Sequence, residues 1–206
     1  MSLIYFVRHG QNRANVEHVF SYRVVDYSLT ARGLAQARAA AEWFRGRSVV
    51  SIYSSPLRRA QETAAAISET TNAPVVEIDE LREVNVGELD GRSDQPAWDV
   101  YNQTVAEWHQ GKRQVRFPGG ESLEEASQRI EGFVAEVIGT HRGEDFVVVG
   151  HGEIFIAVLP RLLGLDGFPG METAAITVAR CDDALLLTCE SWGTTEHLSQ
   201  SIDPDL

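Results

Sequence analysis

Short apolar runs alternate along the chain with stretches in which apolar residues have helical spacing. Runs rich in Val, Ile and aromatic residues predict strands over residues 3–7, 49–53, 75–78 and 146–149. Two later runs, 174–179 and 185–189, flank turn residues and predict an antiparallel hairpin. The alternation predicts an α/β three-layer sandwich: a central, mostly parallel sheet of about six strands, closed by the hairpin, with helices on both faces.

Residues 84–117 interrupt this alternation. They contain glycines at 87, 91 and 111 and the aromatic residues Trp98, Tyr101 and Trp108, and a short helix over about 96–109 fits best. An irregular excursion of this length is often a lid or a binding element. We therefore predict one domain over residues 1–206, with the excursion on the substrate side. Its aromatic residues either line a pocket or hold the excursion on the core.

The composition is that of a globular protein with one core. The 206 residues are 43% hydrophobic and 23% charged. The formal net charge of −12 argues against nucleic-acid binding, which needs a basic stripe. The most apolar late stretch, residues 146–165, contains charged residues and a proline, which argues against a membrane span. With no evident secretory signal and two cysteines, we expect reduced thiols and a cytoplasmic protein.

Two predicted strands end in a histidine beside glycine. The first runs into Arg8-His9-Gly10 and the fourth into Gly150-His151-Gly152. Open α/β sheets bind ligands at the carboxyl ends of their strands. If the two strands are neighbours, both histidines belong to one crevice.

A third group of polar residues follows the second strand. Ser55 is a favoured N-cap and Pro56 suits the first helical position, so together they predict a helix start. This start places Arg58 in the first turn, where exposed N–H groups attract anions. We therefore expect Arg58 to face the crevice and Arg59 to be solvated.

These side chains are suited to phosphoryl chemistry. His9 can act as a nucleophile, while Arg8, Arg58 and His151 can neutralise a tetrahedral oxyanion. Positioning and charge stabilisation account for most of the catalysis of phosphoryl transfer, so this set suffices without a metal. Glu83, just after the third strand, is the best-placed acid to protonate the leaving alkoxide.

Five blocks of residues, in order, cover most of the chain. They are Arg8-His9-Gly10 with Asn15; Asp26, Leu29-Thr30, Gly33 and Gln36-Ala37; residues 54–64; Leu81, Glu83 and Gly87; and Gly150-His151-Gly152. With these blocks the sequence resembles the histidine phosphatase superfamily, the group that includes cofactor-dependent phosphoglycerate mutase. The triplet Arg-His-Gly alone is weak evidence, but five blocks in order are strong evidence.

The resemblance implies a small phosphorylated substrate, a phosphohistidine on His9, and Glu83 as proton donor and later base. It implies no metal or cofactor. The residues it places around the phosphoryl group and the substrate are Arg8, Arg58, His151, Asn15, Asn12 and Gly152. Three residues depart from the family pattern. Asn12 replaces a usual Ser or Thr, and Pro160 interrupts a helix that is usually unbroken. Glu153 replaces a small residue, so its charge is expected to narrow or repel part of the pocket.

Val84 favours one branch of the family. In mutases an arginine directly follows the catalytic glutamate and helps to hold a small carboxylated phosphate, whereas this chain has Val84 there. We therefore expect a phosphomonoester hydrolase. A phosphoglycerate mutase and a non-catalytic phosphate-binding protein are the alternatives, and the substrate and the oligomeric state are left open.

Overall fold

The computed structural model of the protein describes residues 1–199, so the end of the predicted domain, residues 200–206, lies outside the described residues. Its strands are β1 (Ser2–Arg8), β2 (Ser51–Ser54), β3 (Val75–Glu77), β4 (Phe146–Gly150), β5 (Ile176–Cys181) and β6 (Leu187–Thr194). They form one sheet in the order β3-β2-β4-β1-β5-β6. Strands β1 to β4 run parallel, and β5 and β6 form the antiparallel hairpin. The predicted fold class is confirmed.

Helices cover both faces of the sheet. They are α1 (Arg13–Glu17), α2 (Ala31–Trp43), α3 (Arg58–Thr71), α4 (Gln95–His109), α5 (Leu123–Thr140) and α6 (Gly152–Leu162). Because side chains alternate along a strand, Tyr5 and Val7 of β1 pack with α2 and α3, whereas Ile4 and Phe6 pack with α5 and α6. Within residues 1–199, no helix has both the length and the apolar character needed to cross a bilayer.

The position of β4 sets the site. This strand lies between β1 and β2, and its parallel pairing with β1 places Gly150 opposite Arg8. The next residues, His9 and His151, therefore leave the sheet side by side. The chain after β1 leads to α2 on one face, and the chain after β4 enters α6 on the other. A crevice opens between the two loops.

The predicted start of α3 is wrong. The helix begins at Arg58, with Leu57 in the N-cap position and without a capping side chain of its own. The physical reason is a long-range contact. The Asp26 carboxylate accepts the backbone N–H of Arg58 at 2.9 Å and so caps the helix in place of Ser55.

The excursion over residues 84–117 carries α4, whose bounds are close to those predicted. Trp108 and Phe117 are buried in the core on the side of α5 and α6. Trp98 and Tyr101 instead line the pocket at the sheet edge. The aromatic residues of the excursion therefore have both of the roles that the sequence allowed: some hold the excursion on the core and others line a pocket.

Two glycines let the loop after β1 rest directly on the start of α2. A Cβ atom on Gly33 would lie 1.9 Å from the carbonyl oxygen of Gln11, and one on Gly10 would lie 2.5 Å from the carbonyl oxygen of Gly33. Both obstacles are backbone atoms, so a side chain at either position fits only if the loop moves. This contact fixes the backbone that follows His9.

We expect Gly33→Ala to lower the free energy of unfolding by at least about 2 kcal/mol, because the backbone must shift to admit the methyl group. Gly132→Ala is the matched control. Gly132 lies in α5 with nothing within 4 Å of its Cβ position, so alanine should be neutral or stabilise by up to about 1 kcal/mol. Urea unfolding compares the two variants, and equal midpoints would contradict the role of this close contact.

Candidate active site

His9 is held just after β1, and each of its ring nitrogens has one hydrogen-bond partner. Its backbone N–H donates to the Gly150 carbonyl at 3.0 Å, and its own carbonyl accepts the Ala174 N–H at 3.1 Å. In the ring, Nδ1 lies 2.7 Å from the Gly10 carbonyl oxygen, which can only accept, so Nδ1 carries the proton. Nε2 is then the lone-pair nitrogen, and it accepts the Nε–H of Arg59 at 3.1 Å.

The His9 ring is uncharged in this environment. Burial is the largest cause, and the charges of Arg59 and Arg8 act in the same direction, so the pKa of His9 lies well below its usual range. A neutral imidazole with its lone pair on Nε2 is the form that can attack phosphorus.

Arg59, and not Arg58, is the arginine of α3 that reaches the crevice. The Arg59 side chain is 2% exposed, and its Nη1 and Nη2 donate to Ser21 Oγ at 3.1 Å and to the Ser21 carbonyl at 2.9 Å. Burial lowers the pKa of Arg59 to about 10, so it keeps its positive charge at neutral pH. Arg58 is exposed, and the prediction that it faces the crevice is wrong.

The sequence contained a signal for Arg59 in the spacing of α3. Residues three or four apart share a helix face. Arg58 shares its face with the polar residues Gln61 and Glu62. Arg59 also has Glu62 three residues on, but steps of four lead from it to Thr63 and Ile67, which are both fully buried. The misplaced helix start hid this difference.

His151 is buried beside His9, with 5.1 Å between the ring centroids. Its Nε2 lies 2.7 Å from Ser55 Oγ, which also accepts the Leu57 N–H at 3.3 Å. The Ser55 hydroxyl has no other acceptor among the described residues, so its proton is directed at Nε2 and the ring proton is left on Nδ1. Ser55 therefore orients His151, a role that the sequence prediction missed.

The site contains polar atoms without partners. Across residues 1–199, four buried side-chain nitrogen atoms have no hydrogen-bond partner: Arg8 Nε, Asn12 Nδ2, His151 Nδ1 and His197 Nδ1. Arg8 is the last residue of β1, Asn12 follows β1 and His151 follows β4, so all three lie at the carboxyl ends of two neighbouring strands. Since buried donors are normally satisfied, three orphaned donors at this end of the sheet fit a site for an anion.

The predicted contacts Asn12, Asn15 and Gly152 also lie at this end. The side-chain oxygens of Asn12 and Asn15 each accept the other residue's backbone N–H at 3.0 Å, which caps α1 and leaves Asn12 Nδ2 available. Asn15 and Gly152 line the pocket. A Cβ atom on Gly152 would lie 2.7 Å from Arg8 Cζ, so glycine makes room for that guanidinium.

Glu83 places its carboxyl group across the pocket at the start of α6. Oε1 accepts the backbone N–H groups of Val84 at 2.9 Å and Ile154 at 2.8 Å, and Oε2 accepts that of Glu153 at 3.2 Å. Two of these donors belong to the first turn of α6, whose N–H groups have no partner within the helix and therefore hold the carboxyl oxygens in place. The side chain thereby has a fixed position in the same pocket as His9.

Arg129 of α5 positions the segment that carries Glu83. Its guanidinium donates to the carbonyls of Arg82 at 2.9 Å and Glu83 at 3.1 Å, and it pairs with Glu121 at 2.7 Å. The sequence prediction missed Arg129 and Glu121, because nothing in their local pattern distinguishes them from surface residues.

The pocket has a volume of about 180 Å³ and is lined by two chemically different sets of residues. One set is Arg8, His9 and Arg59. The other is an aromatic wall, which we define as Phe20, Trp98 and Tyr101, together with Glu83 and Glu153. Glu153 therefore lines the pocket, and the expectation that its charge narrows or repels part of it stays a prediction.

Comparisons with known proteins show the family. The family model of the histidine phosphatase superfamily (branch 1) matches residues 4–193. The chain belongs to this superfamily. Phosphoserine phosphatase 1 of Hydrogenobacter thermophilus is 33% identical over 167 residues, 81% of this chain and 78% of that protein. A probable phosphoglycerate mutase of an Enterobacter species is 30% identical over 168 residues, 82% and 78% of the two chains.

A solved structure extends the likeness of this histidine phosphatase to nearly the whole chain. The mycobacterial glucosyl-3-phosphoglycerate phosphatase is 26% identical and superposes with a TM-score of 0.80. The superposition covers 94% of this chain and 99% of that one.

In this histidine phosphatase we expect Arg59→Ala to weaken orthophosphate binding by at least about a hundredfold, because a buried guanidinium beside His9 is lost. Arg58→Ala is the control. Because the Arg58 side chain is exposed, this variant should bind orthophosphate with an affinity within about twofold of that of the unchanged protein. Calorimetric titration with orthophosphate, after circular dichroism has shown that both variants fold, makes the comparison. A larger loss at Arg58 would contradict the assignment.

Proposed function

We propose that the protein hydrolyses small phosphomonoesters through a phosphohistidine on His9. In the first step, the Nε2 lone pair attacks phosphorus, a P–N bond forms, and the P–O bond to the leaving group breaks. Glu83 gives its proton to the departing alkoxide, which leaves as an alcohol. Arg8, Arg59 and His151 balance the charge on the phosphoryl oxygens.

The second step regenerates the imidazole. Glu83, now a carboxylate, takes a proton from a water molecule whose oxygen attacks the phosphorus. The P–N bond breaks, its electron pair returns to His9 Nε2, and orthophosphate leaves. The carboxyl group of Glu83 is then protonated for the next turnover.

The main support for this proposal is the protonation state of the His9 ring and the hydrogen bonds that it makes. Its Nδ1 is bound to the Gly10 carbonyl, its pKa is lowered by burial, and its Nε2 points toward Arg59. Orphaned donors of Arg8 and His151 lie in the same crevice. A neutral imidazole whose Nε2 lone pair is held only by the Arg59 N–H, a donor that a phosphoryl oxygen can take over, is suited to accept a phosphoryl group.

The pocket favours hydrolysis of a phosphomonoester over isomerisation of phosphoglycerates. Val84, directly after Glu83, is fully buried and supplies no cation. Of the described residues that line the pocket, only Arg8 and Arg59 carry a guanidinium, and Arg59 is engaged with His9. A phosphoglycerate carboxylate would therefore find no further cation among the described residues that line the pocket.

The relatives and the size of the cavity support a small substrate. The names of the Hydrogenobacter relative and of the mycobacterial structure refer to phosphoserine and glucosyl-3-phosphoglycerate. The cavity of about 180 Å³ is smaller than typical drug-sized pockets of about 300–1,000 Å³. We infer that the substrate is a small phosphorylated metabolite.

The two thiols support a cytoplasmic location. Cys181 is buried and Cys189 is half-buried, and both are free. Burial raises the pKa of each thiol, which keeps it protonated and slow to react with oxidants. Free thiols of this kind are typical of reducing compartments.

We expect His9→Ala to lower the rate of p-nitrophenyl phosphate hydrolysis by at least about a thousandfold, because the nucleophile is lost. Acid quench of the unchanged protein with ³²P-labelled substrate should trap an acid-labile phosphoprotein, and His9→Ala should trap none. His109→Ala, which removes an exposed histidine of α4, is the control and should match the unchanged protein. Full activity of His9→Ala would remove His9 from the mechanism.

The same preparation separates the alternatives. With phosphoglycerates and a bisphosphoglycerate primer, a coupled assay should detect released orthophosphate and no isomerisation. Isomerisation faster than hydrolysis would establish a mutase. Orthophosphate binding without turnover of any phosphomonoester would establish a non-catalytic binding protein.

A further inference from the structure

Glu153 is an acidic side chain in a pocket that otherwise suits an anion. It lies in the first turn of α6 and lines the same cavity as His9. Within the described part of the chain its half-buried carboxyl group forms no salt bridge. Burial raises the pKa of Glu153 to about 7; the Tyr101 hydroxyl and Arg8 oppose the rise, and the charge of Glu83 adds to it. A ligand cation would supply the missing counter-charge.

The aromatic wall adjoins this carboxyl group. The Phe20 ring centroid lies 4.5 Å from that of Trp98 and 5.1 Å from that of Tyr101, so the three rings form one surface. Tyr101 connects this surface to Glu153, because both line the same cavity and the charge of Glu153 adds to the burial that raises the pKa of the Tyr101 hydroxyl. Aromatic rings attract cations such as ammonium groups, especially where water is excluded.

Glu153 lies on the leaving-group side of the pocket. Its backbone N–H donates to Glu83 Oε2 at 3.2 Å, so the two acidic residues are neighbours. In the proposed mechanism Glu83 protonates the leaving oxygen, while Arg59 lies at His9 with the phosphoryl group. A substituent on the leaving alcohol therefore extends toward Glu153 and the aromatic wall.

We propose that Glu153 and the aromatic wall form a subsite for an ammonium group on the leaving alcohol, so that phosphomonoesters of small amino alcohols are preferred. This inference rests on the proposed function. An ammonium group pairs with the carboxylate and contacts the rings, whereas a substrate carboxylate in the same place is repelled by Glu153. The subsite selects among substrates and takes no part in bond breaking.

Four esters with the same two-carbon spacer test the subsite. O-phosphoethanolamine, 2-hydroxyethyl phosphate, propyl phosphate and 3-phosphooxypropanoate end in an ammonium, a hydroxyl, a methyl and a carboxylate group. We expect kcat/KM to be at least about tenfold higher for the ammonium ester than for the hydroxyl ester, and lowest for the carboxylate ester. A hydroxyl preference or a flat series would overturn the proposal.

Glu153→Gln removes the charge and keeps the shape of the side chain. The ammonium-to-hydroxyl ratio of kcat/KM should fall to within about twofold of unity. Glu136→Gln, an exposed position on α5, removes the same charge outside the pocket and should keep the original ratio. Because each ratio is taken within one protein, a change in overall activity cancels. A ratio that Glu153→Gln leaves unchanged would refute the subsite.

The pH dependence tests the subsite without any substitution. The groups facing Glu153 are Tyr101 of α4, Arg8 of β1 and Glu83. Because Glu153 is ionised above about pH 7, the ammonium-to-hydroxyl ratio should rise between pH 6 and pH 8. A ratio that stays constant or falls over this range would contradict the proposal.

Hydrolysis of p-nitrophenyl phosphate separates this inference from the proposed function. If neither this ester nor the four others is hydrolysed and no phosphohistidine forms, the proposed function fails. If p-nitrophenyl phosphate is hydrolysed and the ammonium preference is absent, only the subsite fails.

Discussion

The candidate site depends on the hydrogen bond between His9 Nδ1 and the Gly10 carbonyl. It fixes the tautomer, and so it decides which ring nitrogen can react. The bond forms because the pairing of β1 with β4 sets the direction in which the chain leaves the sheet, and because Gly10 and Gly33 let the next loop rest on α2. The fold thus acts on the chemistry through the orientation of one ring.

Buried positive charge is the second constraint. Arg8 and Arg59 both lose hydration, which lowers their pKa and is only partly opposed by Glu83, while the neighbouring imidazoles stay neutral and add no further positive charge. Ser21 accepts a hydrogen bond from Arg59 and holds its guanidinium in place. The loop after Ser21 is itself fixed, because the Asp90 carboxylate accepts the backbone N–H groups of residues 22–24 at 2.8–2.9 Å. Such a site is organised before the ligand arrives, so little reorganisation is needed when an anion supplies the missing charge.

Local pattern was sufficient for the sheet, for its crevice and for His9 and His151, because buried strands that end in glycine and histidine are readable from the sequence. It failed where a distant residue decided the outcome. The Asp26 carboxylate caps α3 at Arg58, later than predicted, while Arg59 faces inward to His9 and Ser55 binds His151. The residues 54–64 cannot predict the contact with Asp26, because Asp26 lies outside this segment. The polar residues on the helix face of Arg58 nevertheless indicated that Arg58 is exposed.

The most direct test is the identity of the phosphorylated nitrogen. Phosphoenzyme trapped from p-nitrophenyl phosphate, denatured at alkaline pH, can be examined by ³¹P NMR, which distinguishes the two phosphohistidine isomers, and by peptide mapping. The account predicts phosphate on Nε2 of His9, because Nδ1 is bound to the Gly10 carbonyl. Phosphate on Nδ1 of His9, or on His151, would contradict it.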